Sequence, residues 1–448
     1  MIGQIVYKSF SSNPDYFVLC ERGVVRVVQR ETTSNYEIGE FVQLHGALKK
    51  SVLYSSSVEL LPAEKEREAQ KQASSWADAL VSTRIFDVLV DAPALEKMKP
   101  VFKEAAERLE RAVIRMQPIL VRFDEDADGI TSALYLQSLV EHFVQESGLP
   151  YPHSFFKAFQ SEAPIFEKKH LHHLEQVAGD FARDPLVVLL DHGGNEESVP
   201  ALKAARDLGW ELMLVDHHPP FKNSLALFDV VVHPAQHGGS SAENTGLLMY
   251  HVASAVFSAP KAWAYFSMQG DRSPYALKKF FKEPIVLDYA SLQNWPLKKY
   301  KALLSDFGQV DVLYQRCLRL RESALKEALM RRKVEAMGSV RVQWLDISYL
   351  KSDYPPKGGV VQGLHEHVEN EGPLVTVGFD KERVIFRANA GAEKAGFKAN
   401  AWIAQLKEKP GVVASGGGHA RAASMRLKPG KLKTALSWLE ERFLETLT

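Results

Sequence analysis

The sequence predicts an α/β protein in three parts: a small β-barrel, then a parallel-sheet domain, then a smaller α/β domain. Two patterns carry that reading. From residue 117, apolar runs ("PILVRF", "PLVVLL", "WELMLV") alternate with helical patterns ("TSALYLQSLVEHFVQES", "VPALKAARDLG"). Unbroken apolar strands separated by helices belong to a parallel sheet covered on both faces. Before residue 62 the texture differs: β-branched and aromatic runs such as "YFVLCERGVVRVVQR" are cut by turn signals at Asn13-Pro14-Asp15 and Glu21-Arg22-Gly23.

In chain order, residues 1–62 suit a five-stranded barrel of the oligonucleotide-binding (OB-like) kind and a generic small β domain about equally. Tyr7, Phe10, Tyr16 and Phe17 are candidate platforms for stacking bases, although some of them must be core. Residues 63–116 hold two stretches rich in helix formers and read as a helical linker. The parallel-sheet domain fills 117–290, connecting helices 291–335, and a second set of strands and helices 336–448.

Composition narrows the class. At 46% hydrophobic and 25% charged, the 448 residues are ordinary globular material for two or three domains. Equal numbers of basic and acidic residues give no compositional sign of a polyanionic partner, so any such role must come from a local surface. The two cysteines, Cys20 and Cys317, form no metal-ligand spacing and no disulfide framework. The N-terminus has no signal-peptide pattern and no apolar run reaches ~18 residues, so a soluble cytoplasmic protein without membrane contact is expected.

The chemistry lies at the ends of the apolar runs. "PILVRF" leads into Asp124, Glu125, Asp126 and Asp128, "PLVVLL" into Asp191-His192, and "ELMLV" into Asp216-His217-His218. In open parallel sheets, function collects beyond the carboxyl ends of the strands. Carboxylates crowded there repel one another and are costly to bury, and a bound divalent cation is the natural compensation. If the strand end stays extended, Asp126 and Asp128 point the same way, and Gly129 allows a tight turn into the next helix. Oxygen and imidazole donors without thiolates suit Mn²⁺ or Mg²⁺. Two such ions, about 3.5–4 Å apart, would stabilise the attacking and leaving oxygens of a phosphoryl displacement.

Five motifs in order, "DEDADG" (124–129), "LLDHGG" (189–194), "VDHHPP" (215–220), "QGDRS" (269–273) and "SGGGHARAAS" (415–424), carry a resemblance to the DHH phosphoesterase superfamily. The chain is most similar to its RecJ-like branch with a DHH-associated C-terminal domain set across a cleft. The resemblance implies two ions per active site, with Asp124, Asp126, Asp128, Asp191, His217 and Asp271 as ligands. His218 would contact the scissile phosphate or complete the metal environment, and Asp216 would orient the imidazoles beside it. Arg387, Gly416, Gly417, Gly418 and His419 would bind substrate. Several family members carry a histidine two or four residues before the position of Asp126; here Asp124 and Arg122 stand there instead. The implied activity is a metal-dependent phosphodiesterase degrading single-stranded DNA or RNA from an end, 5′→3′ favoured, to mononucleotides, with a replisome or repair protein as a partner. A nanoRNase, a cyclic-dinucleotide phosphodiesterase and an inactive replisome scaffold are the alternatives. The histidines of "KKHLHHLEQ" (168–176) read instead as a solvated helix face.

Overall fold

A computed structural model describes the chain apart from residues 9–14, 30–34, 79, 82, 148, 150, 152, 163–164, 352–353, 369–371 and 447–448. It contains two compact units, Met1–Ser305 and Asp306–Thr448. No helix among the described residues is long and apolar enough to cross a membrane.

The first unit opens with strands β1 (Ile2–Lys8), β2 (Tyr16–Cys20), β3 (Gly23–Gln29), β4 (Phe41–Lys49) and β5 (Val52–Leu60), closed into a barrel in the order β1-β2-β3-β5-β4. Alternation decides which aromatics are available. Tyr16 is 2% exposed and belongs to the barrel core, so it is no stacking platform. Tyr7 and Phe17 pair across β1 and β2 with ring centroids 5.8 Å apart and stay partly exposed. Phe10 lies outside the described residues.

Helices α1 (Ala63–Asp78) and α2 (Pro93–Ile114) follow. The sequence reads both as linkers, but α2 carries ten buried residues, from Ala94 to Ile114. It packs on the sheet domain that comes next, whose elements are β6 (Ile119–Asp124), α3 (Ala127–Ser147), β7 (Phe156–Ser161), α4 (Lys168–Ala178), β8 (Leu186–Leu190), α5 (Val199–Asp207), β9 (Glu211–Val215), α6 (Lys222–Leu225), β10 (Val230–Val232), α7 (Thr245–Ser254), α8 (Lys261–Gly270), α9 (Glu283–Ser291) and α10 (Leu297–Leu304). The five strands form one parallel sheet in the order β10-β9-β8-β6-β7. Leu120, Val187, Leu189, Leu212 and Leu214 face one layer with residues of α4 and α5. Helices α2, α3 and α7 cover the other face. Each fully buried Leu or Val there contributes roughly 1.5–3 kcal/mol, which is why β8 reads as an unbroken apolar run. The reversal of strand order around β6 and β8 puts the ends of β6, β8 and β9 side by side.

The second unit has α11 (Phe307–Arg331), β11 (Lys333–Met337), β12 (Val340–Asp346), α12 (Lys357–Val368), β13 (Leu374–Phe379), β14 (Arg383–Ala388), α13 (Ala390–Lys394), α14 (Ala399–Lys407), β15 (Val413–Gly418), β16 (Ala422–Leu427) and α15 (Leu432–Thr446). Its six-stranded sheet runs β11-β12-β13-β14-β16-β15, parallel only between β12 and β13. Val342, Val377, Val384 and Phe386 meet Phe397, Trp402 and Phe443 on one face. On the other, Leu345 and Ile385 meet Val360, Val361 and Leu364 of α12.

Candidate metal centre

At the end of β6 the chain departs from the extended path that the sequence suggests. The strand stops at Asp124 and α3 begins at Ala127, so Asp126 takes the N-cap position and Asp128 lies in the first helical turn. The cap explains the change: Asp126 Oδ1 accepts the Gly129 N–H at 2.9 Å, and its carbonyl accepts the Ile130 N–H at 3.0 Å. Gly129 is required for closeness. A Cβ there would collide with the Asp124 carbonyl oxygen.

Asp128, 1% exposed, is held from the opposite helix. Its carboxylate accepts the Thr245 N–H (2.9 Å), the Gly246 N–H (2.6 Å) and the Ser267 hydroxyl (2.6 Å). Asn244, at the N-cap position of α7, makes no side-chain cap; its amide donates to Ser267 Oγ at 2.6 Å. Asp128 therefore satisfies the first amides of α7 and sits at the positive end of its dipole.

Asp191 follows β8 with a left-handed backbone, φ +64°. That conformation is costly for a non-glycine residue and persists where surrounding contacts enforce it. The Asp191 N–H donates to the Val215 carbonyl at 2.9 Å and its carboxylate accepts the Thr245 hydroxyl at 3.0 Å. His192 then turns back beneath the loop, between the Leu190 carbonyl and Ser161 Oγ, which also accepts from buried Arg122.

After β9, Asp216 accepts the backbone N–H groups of Gly194, His217 and His218 and pairs with His218 Nδ1 at 2.9 Å. Burial alone would raise its pKa, but the two histidines and these donors hold it well below the usual carboxylate range. His218 moves the opposite way. The surrounding protein disfavours its charge, yet Asp216, with Asp124 and Asp271, carries its pKa up to about 10. His233, after β10, donates Nε2–H to the His218 carbonyl at 2.8 Å and steadies the loop.

His217 is oriented differently. Its Nδ1 lies 2.8 Å from the Ser241 carbonyl oxygen, which can only accept, so in the neutral ring the lone pair is on Nε2. Nε2 faces Asp271 at 3.2 Å, Asp191 at 3.3 Å and Asp128 at 3.7 Å. Asp271 reaches this point from the C-terminal end of α8.

Three overlapping sets of ligand atoms, each mutually within 4.8 Å, result: Asp124–Asp126–Asp191, Asp128–His217–Asp271 and Asp191–His217–His218. The structure thus brings all six candidate ligands of the sequence reading together, with His218 beside them and Asp216 behind. The electrostatics fit a cation. Asp191, Asp271 and Asp126 have pKa values driven up first by burial and then by neighbouring carboxylates, and Asp124 is raised to about 8 by burial and by Asp126. A lone pair aimed at carboxylates that repel one another is the donor set a divalent ion would join.

Thr245, Ser267, Ser241 and His233 complete the centre and are not among the residues the sequence reading names. "AENTG" (242–246) ahead of an apolar helix is the available signal, since Asn-Thr before such a run marks a helix start. The "KKHLHHLEQ" histidines are not a uniform solvated face: His170 is buried, and Glu167 and His170 cap α4 reciprocally.

The substrate candidates lie in the second unit. Arg387 on β14 and Gly417 and Gly418 on β15 line one concavity of about 360 Å³, with Gly358, Arg383 and Ser424. The glycines form an edge strand paired with β16 rather than a loop. A Cβ on Gly416 would meet Met425 Cβ at 2.7 Å, whereas one on Gly417 would meet nothing within 4 Å. His419 is exposed just beyond, its N–H bonded to the Ala422 carbonyl.

The parallel sheet and acid-rich centre define a DHH-type α/β protein, and residues 118–268 match the DHH family, N-terminal domain, which belongs to a phosphoesterase superfamily. Residues 118–268 are thus a DHH domain, and part of the chain is similar to RecJ. The chain is 24% identical to an uncharacterized protein of Methanocaldococcus jannaschii, over 76% of this chain and 53% of that one. It is 26% identical to the single-stranded-DNA-specific exonuclease RecJ of Bacillus subtilis, over 36% of this chain and 19% of that one. The chain thus spans about half the length, or less, of the curated relatives it matches. Among solved structures, the DHH domain of a member of a family of ribosomal proteins superposes with TM-score 0.74 at 23% identity, covering 86% of this chain and 100% of that one. RecJ of Thermus thermophilus, in complex with Mn²⁺, gives TM-score 0.50 at 17% identity over 77% and 55%.

Proposed function

We propose that this chain is a divalent-metal-dependent phosphodiesterase acting as an exonuclease on single-stranded DNA or RNA, 5′→3′ favoured, with mononucleotides as products. The observation that carries the reading is the meeting of Asp128, Asp191 and Asp271 at Nε2 of His217, with Asp124 and Asp126 grouped against the same Asp191. The likeness to the Bacillus subtilis single-stranded-DNA-specific exonuclease and to Mn²⁺-bound RecJ supports the substrate class and the cation.

Mn²⁺ or Mg²⁺ would be held, as two ions, by those five carboxylates and His217. When bound, such ions neutralise developing charge on phosphoryl oxygens and make water nucleophilic near neutral pH. The chain's own groups prepare the place. Asp216 and Ser241 fix the imidazoles of His218 and His217, and Thr245 fixes Asp191. His218, oriented through Nδ1 by its pairing with Asp216, is placed beside the centre to contact a substrate phosphate. In the second unit, Arg387, seated by Nε on Gln362 and by Nη1 on the Phe386 carbonyl, brings positive charge to the concavity, and the glycine strand offers open backbone to an end nucleotide.

The test uses long single strands labelled at the 5′ or 3′ end, as DNA and as RNA, with Mn²⁺. The control is Asp126→Asn, because the Asp126 side chain bonds within its own helix, whereas Asp128 also holds α7. Mononucleotide release from one end, lost in the control and in excess chelator, is expected. Retained hydrolysis in chelator would sink the mechanism, and cleavage of dinucleotides alone would move the function to oligonucleotide clearance.

A further inference from the structure

Beyond the cover of α12, the same face of the second unit's sheet carries an unexpected pairing of like charges. Arg383 on β14 and Arg426 on β16 are directly opposed in the antiparallel register, and both are exposed. Like charges facing each other across strands destabilise a sheet unless something of opposite sign joins them. No such group is provided: neither guanidinium has a hydrogen-bond or ion-pair partner among the described residues. Of the two acids just before Arg383, the exposed Glu382 carboxylate makes no ion pair among the described residues and Asp380 is consumed elsewhere. Its carboxylate takes Lys357 Nζ at 2.7 Å and the backbone N–H groups of Glu382 and Arg383.

The pair is continuous with the concavity already described. Residues 383, 385 and 387 alternate onto one face of β14, so Arg383 stands about 13 Å along the strand from Arg387. Between them, Ile385 is buried under α12 and faces Ser424, whose exposed side chain offers a hydroxyl. Gly358, in the first turn of α12, closes the Arg387 end; a Cβ there would be 3.9 Å from Arg387 Nη2. The result is a tract of two separated cationic stations joined by a small polar step, on a chain whose overall charge is zero. A monoanion needs one station. A polyanion with regularly spaced charges uses both.

We propose that Arg383 and Arg426 form a second phosphate subsite, which takes a backbone phosphate of a single strand whose terminal nucleotide lies against Arg387 and the glycine edge. This rests on the single-strand reading above and adds the requirement that more than one phosphate be gripped by the second unit. It predicts a preference for long strands over dinucleotides, because only a longer strand reaches the second station.

The experiment measures binding of the full-length chain, in EDTA to prevent hydrolysis, to a fluorescent 12-nucleotide oligothymidylate and to a 5′-phosphorylated thymidine dinucleotide across a salt series. For Arg383→Ala and Arg426→Ala we expect about tenfold weaker binding of the 12-mer and a salt slope reduced by roughly one per removed contact, with dinucleotide affinity within about twofold. Arg426→Lys should recover most of the 12-mer affinity. Unchanged 12-mer affinity and slope would overturn the subsite while leaving the single-strand reading intact. Equal losses on both probes would also overturn it, since one station would then serve both ligands. A wild-type chain that binds neither probe would instead overturn the single-strand reading itself.

Discussion

Thr245 donates its hydroxyl to Asp191 at 3.0 Å while its backbone N–H donates to Asp128 at 2.9 Å. One residue at the start of α7 thereby fixes carboxylates delivered by two different elements. Removing a donor behind a ligand typically costs 10–100-fold in metal affinity. Thr245→Val should weaken Mn²⁺ binding by about tenfold in isothermal titration and cost about 1 kcal/mol in stability, while Thr245→Ser stays near wild type. Equal affinities for all three would show that Asp191 needs no such support.

Gly246, the next residue, packs where no side chain fits. A Cβ there would collide with Ser267 Oγ and lie 2.8 Å from Thr131 Oγ1. Ser267 cannot simply rotate away without releasing Asp128. Gly246→Ala should destabilise the fold by about 1–3 kcal/mol and lower metal affinity together. Chemical denaturation paired with Mn²⁺ titration checks both, and a stable variant with weakened metal binding would separate the two effects.

Carboxylates this crowded should respond to cations in the absence of substrate. A ligand bound only by the folded state at a concentration 100 times its Kd adds about 2.7 kcal/mol. Mn²⁺ should therefore raise the melting temperature by several degrees, EDTA should reverse the shift, and Asp126→Asn and Asp271→Asn should each shrink it. Identical melting curves with and without Mn²⁺ would remove the centre as a cation site.

Acid stability should carry the mark of His251, far from the centre's chemistry but on the same helix α7. The ring is fully buried beside Phe102 and Phe86, and neither nitrogen has a hydrogen-bond partner among the described residues. Burial, then Lys99, pushes its pKa down to about 3. The unfolded chain takes up this proton near pH 6.5, whereas the folded chain resists until about pH 3. The stabilising contribution is complete above pH 6.5 and is lost as pH falls through that window, at up to about 1.4 kcal/mol per pH unit. His251→Phe should flatten this part of the acid limb in urea unfolding at pH 7, 5.5 and 4.5. An unchanged slope would mean that the ring already exchanges with water.

The parallel sheet is legible in the sequence because strands buried on both faces, such as Leu186–Leu190, tolerate only apolar side chains, and the acids that end them mark where burial stops. Asp124, Asp126, Asp191 and His217 can be named for that reason. The supporting groups are not legible, because Thr245, Ser241 and Ser267 act through contacts between positions 24 to 139 residues apart. The expectation at Asp126 and Asp128 fails for a local reason: strand alternation does not extend into a segment where an aspartate cap starts a helix. Tyr16 misleads because a barrel strand buries alternate residues and the sequence does not say which set faces inward.

The double duty of Asp128 bears on divergence within such a fold. Because it also seats the first turn of α7, selection for a folded chain retains it after selection for catalysis has lapsed. Among the described residues, Asp126 caps only its own helix, where Asn serves as well, and Asp271 holds the start of no helix, so both are freer to drift. In a lineage turned from enzyme to inert scaffold, decay of the centre should begin at those two positions, with Asp128 among the last to change.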